Sequence, residues 1–204
     1  MTTLHDDIPD DELQRAELYG LLSRLWLAPP DAPLLKSFAV AVTEAPMPGA
    51  YLEEPWRQLV GSLRETTLEA AAEEFDALFQ GVGRPEILPY ASFHLSGFLN
   101  DRPLAELRDD LRALGLGRDE ARVETEDHIA YVLEVMRYLI AGDDVAVCNL
   151  EQQRRFFRAH VQTWVDALCE ATQAHPAARV WRSVAAFTGA FVQVETQAFD
   201  MLEA

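Results

Sequence analysis

Five histidines (His5, His94, His128, His160, His175) and two cysteines (Cys148, Cys169) are the residues of this sequence with most scope for metal or nucleophilic chemistry. Their spacing supports neither. No pair of histidines is set as HxH or HExxH, and two thiols outside a CxxC pair cannot close a zinc cage. A di-iron helical bundle needs Glu-x-x-His pairs, but the residue three before His128 is Thr125, and Glu124 stands one place too far back. No GxSxG elbow presents a serine. Gly81-Val82-Gly83 lacks the lysine of a phosphate-binding loop, and glycines at that point suit a left-handed turn closing a helix. The expectation is no catalytic residue and no metal. Small buried thiols are the expected state of the cysteines, although spacing leaves a bridge between them open.

Three clusters remain: Glu74–Gly83, Leu88–Phe93 and Glu124–Ala130, the last running on to Leu133 and Met136. Each joins aromatic or aliphatic groups to polar ones at the end of an element. A peptide-binding groove places its apolar pockets and orienting groups in that way. Charge points to the kind of peptide. Thirty-four Asp and Glu against seventeen Lys and Arg give a net charge of −17. Such a surface repels nucleic acid and anionic lipid and speeds encounter with basic segments, besides keeping the protein soluble.

The elements that must hold these clusters read as helices nearly throughout, and the expected fold class is all-α. Apolar residues make up 49% and charged residues 25%, which excludes a disordered chain. One helix is expected over about Asp11–Leu27, stopped by Pro29 and Pro30, and a second over about Ala32–Val42. Leu68, Ala71, Ala72, Phe75, Leu78 and Phe79 share a helical face. A helix around Leu99–Leu114 has Asn100 or Asp101 as cap and Pro103 in its first turn. Thr125 is expected to cap the next, with Glu126 and Asp127 in its first turn. That helix carries Ile129, Val132, Leu133, Met136 and Leu139 on one face, and with Tyr131, Val135 and Tyr138 it is apolar on most sides, as a central helix is. Two long helices follow, one with Phe157, His160, Val161, Trp164 and Leu168 on a face, the other with Val184, Phe187, Thr188, Phe191 and Ala198. Residues 115–124, with two glycines and mixed charge, read as a hinge between 1–114 and 125–204 of a single domain, 1–204. The acidic start MTTLHDDIPDDEL is no secretory signal and no run of 18 apolar residues spans a bilayer, so a cytoplasmic protein is expected.

Four patterns then converge in order and spacing over about 100 residues: Phe75-x-x-Leu78-Phe79-Gln80-Gly81, Pro89-Tyr90-x-Ser92-Phe93, Glu124-Thr125-Glu126-Asp127-His128-Ile129, and Phe156-x-x-x-His160-x-x-x-Trp164. Together they resemble the TorD/DmsD/NarJ family of molybdoenzyme chaperones. One departure is Thr125, where that family usually has proline; threonine can serve the same helix start as a cap. The resemblance implies a TorD-like bundle of about nine to ten helices. It also implies a non-enzymatic protein that binds the twin-arginine signal peptide of a cofactor-free molybdoenzyme subunit and delays its export. It associates Phe75, Leu78, Phe79, Asp127 and His128 with that peptide. Asp127 is suited to a guanidinium and Tyr90, Ser92 and Phe93 line the same groove. It further implies no cofactor beyond weak guanine-nucleotide binding. The 115–124 hinge would let the two halves exchange between copies, so a monomer with a domain-swapped dimer as an alternative is expected. Each residue also has an ordinary structural role: Asp127 beside a helix dipole, His128 as a cap, Phe75, Leu78 and Phe79 as core, His160 as a satisfied core histidine, Trp164 as packing. Two other functions stay open on the sequence, a helical module with a different partner and a nucleotide hydrolase.

Overall fold

The computed structural model describes residues 9–40, 50–81, 85–118 and 122–202. Among them are ten α-helices and no strand: α1 Asp10–Leu27, α2 Ala32–Val40, α3 Ala50–Glu65, α4 Leu68–Phe75, α5 Ala91–Ser96, α6 Arg102–Ala113, α7 Ile129–Ala141, α8 Leu150–His160, α9 Val165–Ala174 and α10 Val180–Met201. The fold class is all-α, as expected. No helix among the described residues is long and apolar enough to cross a membrane. The chain forms two compact units, one of residues 1–23 and 90–163, the other of 24–89 and 164–204. The segment 115–124 lies inside the first unit, with 119–121 outside the described residues.

In the first unit α7 is the central helix. Ile129, Val132, Leu133, Met136 and Leu139 are all fully buried, while Tyr131, Val135 and Tyr138 on its other side are half-buried. Its apolar sequence leaves its neighbours to satisfy what polar backbone it exposes. Ser23 Oγ donates to Ala130 O at 2.7 Å, and buried Gln153 on α8 donates to Leu139 O at 3.2 Å. The carbonyls of a last helical turn lack partners within the helix, so Gln153 supplies one. Arg15 on α1 donates in turn to Gln153 Oε1 at 2.9 Å.

The second unit is built on tryptophan. Trp26 and Trp181 are buried and their indole N–H groups donate to Thr188 Oγ1 at 3.0 Å and Leu25 O at 3.1 Å. An indole buried without such a partner costs stability. The start of α10 is capped from a distance: the Glu74 carboxylate accepts from the amides of Arg179, Val180 and Trp181 at 2.7, 3.1 and 2.9 Å.

Several boundaries differ from expectation. The amphipathic stretch from Leu68 is not one α-helix: after Phe75 the chain widens to a π turn, Asp76–Gln80, closed by Gly81 N–H to Asp76 O at 2.7 Å. Gly81 has φ 4°, so it is not the left-handed cap expected, and Gly83 lies outside the described residues. The helix expected through Phe157 and Leu168 is two, broken at Val161–Trp164, with Phe157 buried in the first unit and Trp164 in the second. In α10, Glu195 and Phe199 are buried and Ala198 is exposed. Helix α3, with Pro55 inside it, and the six-residue α5 carried too short or too interrupted a pattern to stand out. Both cysteines are free thiols in separate units, raised in pKa chiefly by burial.

Candidate functional site

Tyr90, Ser92, Asp127 and His128 come together in the first unit at the corner where α5 and α7 begin. Helix α5 starts at Tyr90, whose side chain gives no cap. Asp127 supplies one instead: Oδ2 accepts from Ser92 N at 2.9 Å, and its carbonyl accepts from Ala91 N at 3.0 Å in an isolated antiparallel bridge. Thr125 Oγ1 donates to the other carboxylate oxygen at 2.6 Å. Thr125 therefore orients Asp127 and does not cap α7, whose first residue is Ile129.

The cap of α7 is His128, whose Nδ1 accepts from Ala130 N at 3.2 Å. A nitrogen that accepts carries no proton, so the ring is neutral with its proton on Nε2. Burial enforces that state, pushing the pKa from 6.5 to about 4 against the upward pull of Glu124 and Asp127. The Tyr90 ring meets His128 edge-on with centroids 5.1 Å apart. Its hydroxyl donates to Glu124; burial first and that bond second push the phenol's pKa up. Glu126 takes a two-pronged bond from Arg108, at 3.0 Å from Nε and 2.8 Å from Nη2, which holds the Glu126 carboxyl below its usual range.

This corner is closed. Asp127 is 0% exposed and His128 5%. The carboxylate expected to receive a peptide guanidinium is enclosed and both its oxygens are bonded, so its work in this structure is positional. Ser92 is also fully buried, and its hydroxyl has no hydrogen-bond partner among the described residues. Phe93 is half-buried on α5, edge-on to His94 at 5.4 Å. Phe75, Leu78 and Phe79 belong to the other unit, where the two phenylalanines pack on Trp181 at 5.2 and 6.0 Å and Leu78 is fully buried. Among the described residues no group of three His, Cys, Asp or Glu side chains converges to hold a metal.

What the corner positions is open. A cleft of about 390 Å³ in the first unit has Ala91 and Leu95 of α5 on one side and Pro103, Glu106, Leu107, Asp109 and Asp110 of α6 on another. Val132 of α7 and Ala159 and His160 of α8 complete it. Ala91 adjoins the Ser92 amide that Asp127 holds, and Val132 is one helical turn beyond the His128 cap. Asp110 bonds His160 Nε2 at 2.8 Å and Arg155 at 2.9 Å. Glu106 and Asp109 pair with exposed Arg102 and Arg112 at 2.7 and 2.6 Å. An apolar floor with carboxylates at its edge can hold an aliphatic chain and a cation together. The α6 carboxylates were missed in the sequence. Their signal is Pro103, Glu106, Leu107 and Asp110, which fall on one helical face mixing acid with apolar groups.

The profile of the family described as "Nitrate reductase delta subunit" matches residues 48–170. A protein named "Chaperone protein TorD" from Vibrio cholerae (strain M66-2) is 27% identical over 93% of this chain and 93% of its own. The TorD of another V. cholerae strain, O395, is 30% identical over 68% of this chain and 66% of its own. That of Vibrio parahaemolyticus is 28% identical, covering 73% of each.

Proposed function

Because the chain belongs to the nitrate reductase delta subunit family, with TorD chaperones among its relatives, we propose that it is a redox-enzyme maturation chaperone that binds the twin-arginine signal peptide of a cofactor-free molybdoenzyme subunit. The observation carrying this reading is the acid-edged apolar cleft of the first unit. A twin-arginine leader offers two guanidinium groups followed by an apolar stretch, the same two chemistries in one strand. Asp127 and His128 serve it by fixing α5 and α7, and Tyr90, Ser92 and Phe93 by the ends and faces of those helices. The mechanism has no chemical step. Holding the leader in the cytoplasm delays export, and release follows cofactor insertion. Affinity is modest, because an extended peptide loses conformational entropy on docking.

Titration calorimetry with a synthetic twin-arginine leader tests this. Binding is expected, weakening as salt rises from low to physiological strength because exposed charges are screened. A leader with both arginines changed to glutamine that bound equally well would overturn the proposal.

A further inference from the structure

The cleft has two unlike ends. At one end α5 passes into α6 through residues 97–101. There Leu95, Phe98 and Leu99 are 45%, 72% and 44% exposed, an apolar run interrupted by Ser96 and Gly97, in which Leu95 lines the cleft and the large aromatic that follows is uncovered. The run sits on an ordered turn. Gly97 and Asn100, on either side of Phe98 and Leu99, take φ of 83° and 59°, conformations that glycine and asparagine tolerate. Ser96 Oγ donates to Ser92 O at 2.7 Å, securing the last turn of α5 just before it. At the other end stand Asp109 and Asp110, with Glu106 between. From Pro103 to Asp110 is about 10 Å along α6, the length of about three extended residues.

From this polarity we infer the direction in which the occupant lies. The arginines of a leader bind at Glu106, Asp109 and Asp110, and its apolar stretch runs back over Leu95, Phe98 and Leu99. The inference rests on the signal-peptide reading above and adds the register and the Phe98 platform to it. Charge complementarity selects the occupant: Leu95 lines one cleft with three carboxylates, Phe98 and Leu99 follow it closely in the chain, and the net charge is −17. The carboxylates are not vacant: Arg102, Arg112 and Arg155 hold Glu106, Asp109 and Asp110, and Asp110 also bonds His160. These arginines are 84%, 71% and 61% exposed, and exposed pairs contribute little net stability. At Glu106 and Asp109, whose side chains are themselves exposed, an incoming guanidinium exchanges for a resident one at small cost.

Double-mutant cycles between protein and peptide test the direction. The protein variants are Phe98→Ala and Glu106→Gln/Asp109→Asn, all at exposed side chains, with folding checked by circular dichroism. The peptides are the parent leader, one with both arginines changed to glutamine, and one with its leading apolar residues changed to alanine. Each variant is expected to weaken the parent leader about three- to tenfold. Phe98→Ala should cost nothing further with the alanine peptide, and the carboxylate variant nothing further with the glutamine peptide. Coupling in the crossed pairs, or parent affinity unchanged in both variants, overturns the direction while leaving the signal-peptide reading standing. An arginine-free apolar peptide that binds wild type as tightly as the leader, or a leader that does not bind at all, overturns both.

Discussion

Lowering pH should cost the fold stability through His128 before Glu126 contributes to the loss. His128 is neutral and buried, with its pKa moved from 6.5 to about 4 by burial. The unfolded chain takes up a proton as pH falls through 6.5, and the folded chain does not until about 4. The unfolded state thus binds more protons across that window, so stability is full above 6.5 and is lost as pH falls. The whole gap corresponds to about 3 kcal/mol, of which about 2 kcal/mol is lost between pH 7 and pH 5. Glu126 acts elsewhere: its carboxyl is held below 4.5 by Arg108, so its contribution is lost only at lower pH. The measurement is urea unfolding followed by far-ultraviolet circular dichroism at both pH values, with linear extrapolation to water. The comparison is His128→Asn, which retains an N-cap acceptor for Ala130 N and cannot titrate. Wild type should lose about 2 kcal/mol more than the variant over this range. Parallel losses in the two proteins would refute the reasoning.

Other perturbations probe neighbouring links. Asp127→Ala removes the acceptor of Ser92 N and Thr125 Oγ1 and strands a buried amide; it should cost about 3 kcal/mol in urea unfolding and weaken leader binding through the displaced α5. Glu74→Gln withdraws an acceptor and a negative charge from the first turn of α10, and should cost about 1 to 2 kcal/mol, read as a lower midpoint in thermal unfolding. Asn149→Ala, which removes the side-chain acceptor of Gln152 N at the start of α8, should cost about 1 kcal/mol by the same method.

Helical character was legible because periodicity is local. The α7 positions at helical spacing were read as core and are fully buried. The breaks were less legible. Nothing local marks Phe157 and Trp164 as belonging to different units, nor the π turn after Phe75, because α-periodic spacing continues through both. Among site residues, Tyr90, Ser92, Asp127 and His128 were grouped from sequence and meet at one corner. Phe75, Leu78 and Phe79 carry an equally suggestive motif and lie in the tryptophan core of the other unit.

Sequence alone determined the fold class, the charge that favours a cationic partner and the family pattern, since each depends on residue types and short spacings. Tertiary structure decided what Asp127 does. A carboxylate two residues before a helix could face solvent or a backbone amide 35 positions away in sequence, and only the packing of α5 against the turn places Ser92 N within 2.9 Å. It also placed Glu106 and Asp109 in one cleft with Leu95, three residues before the exposed Phe98. That neighbourhood arises from contacts between α5, α6, α7 and α8, which no short stretch of sequence encodes.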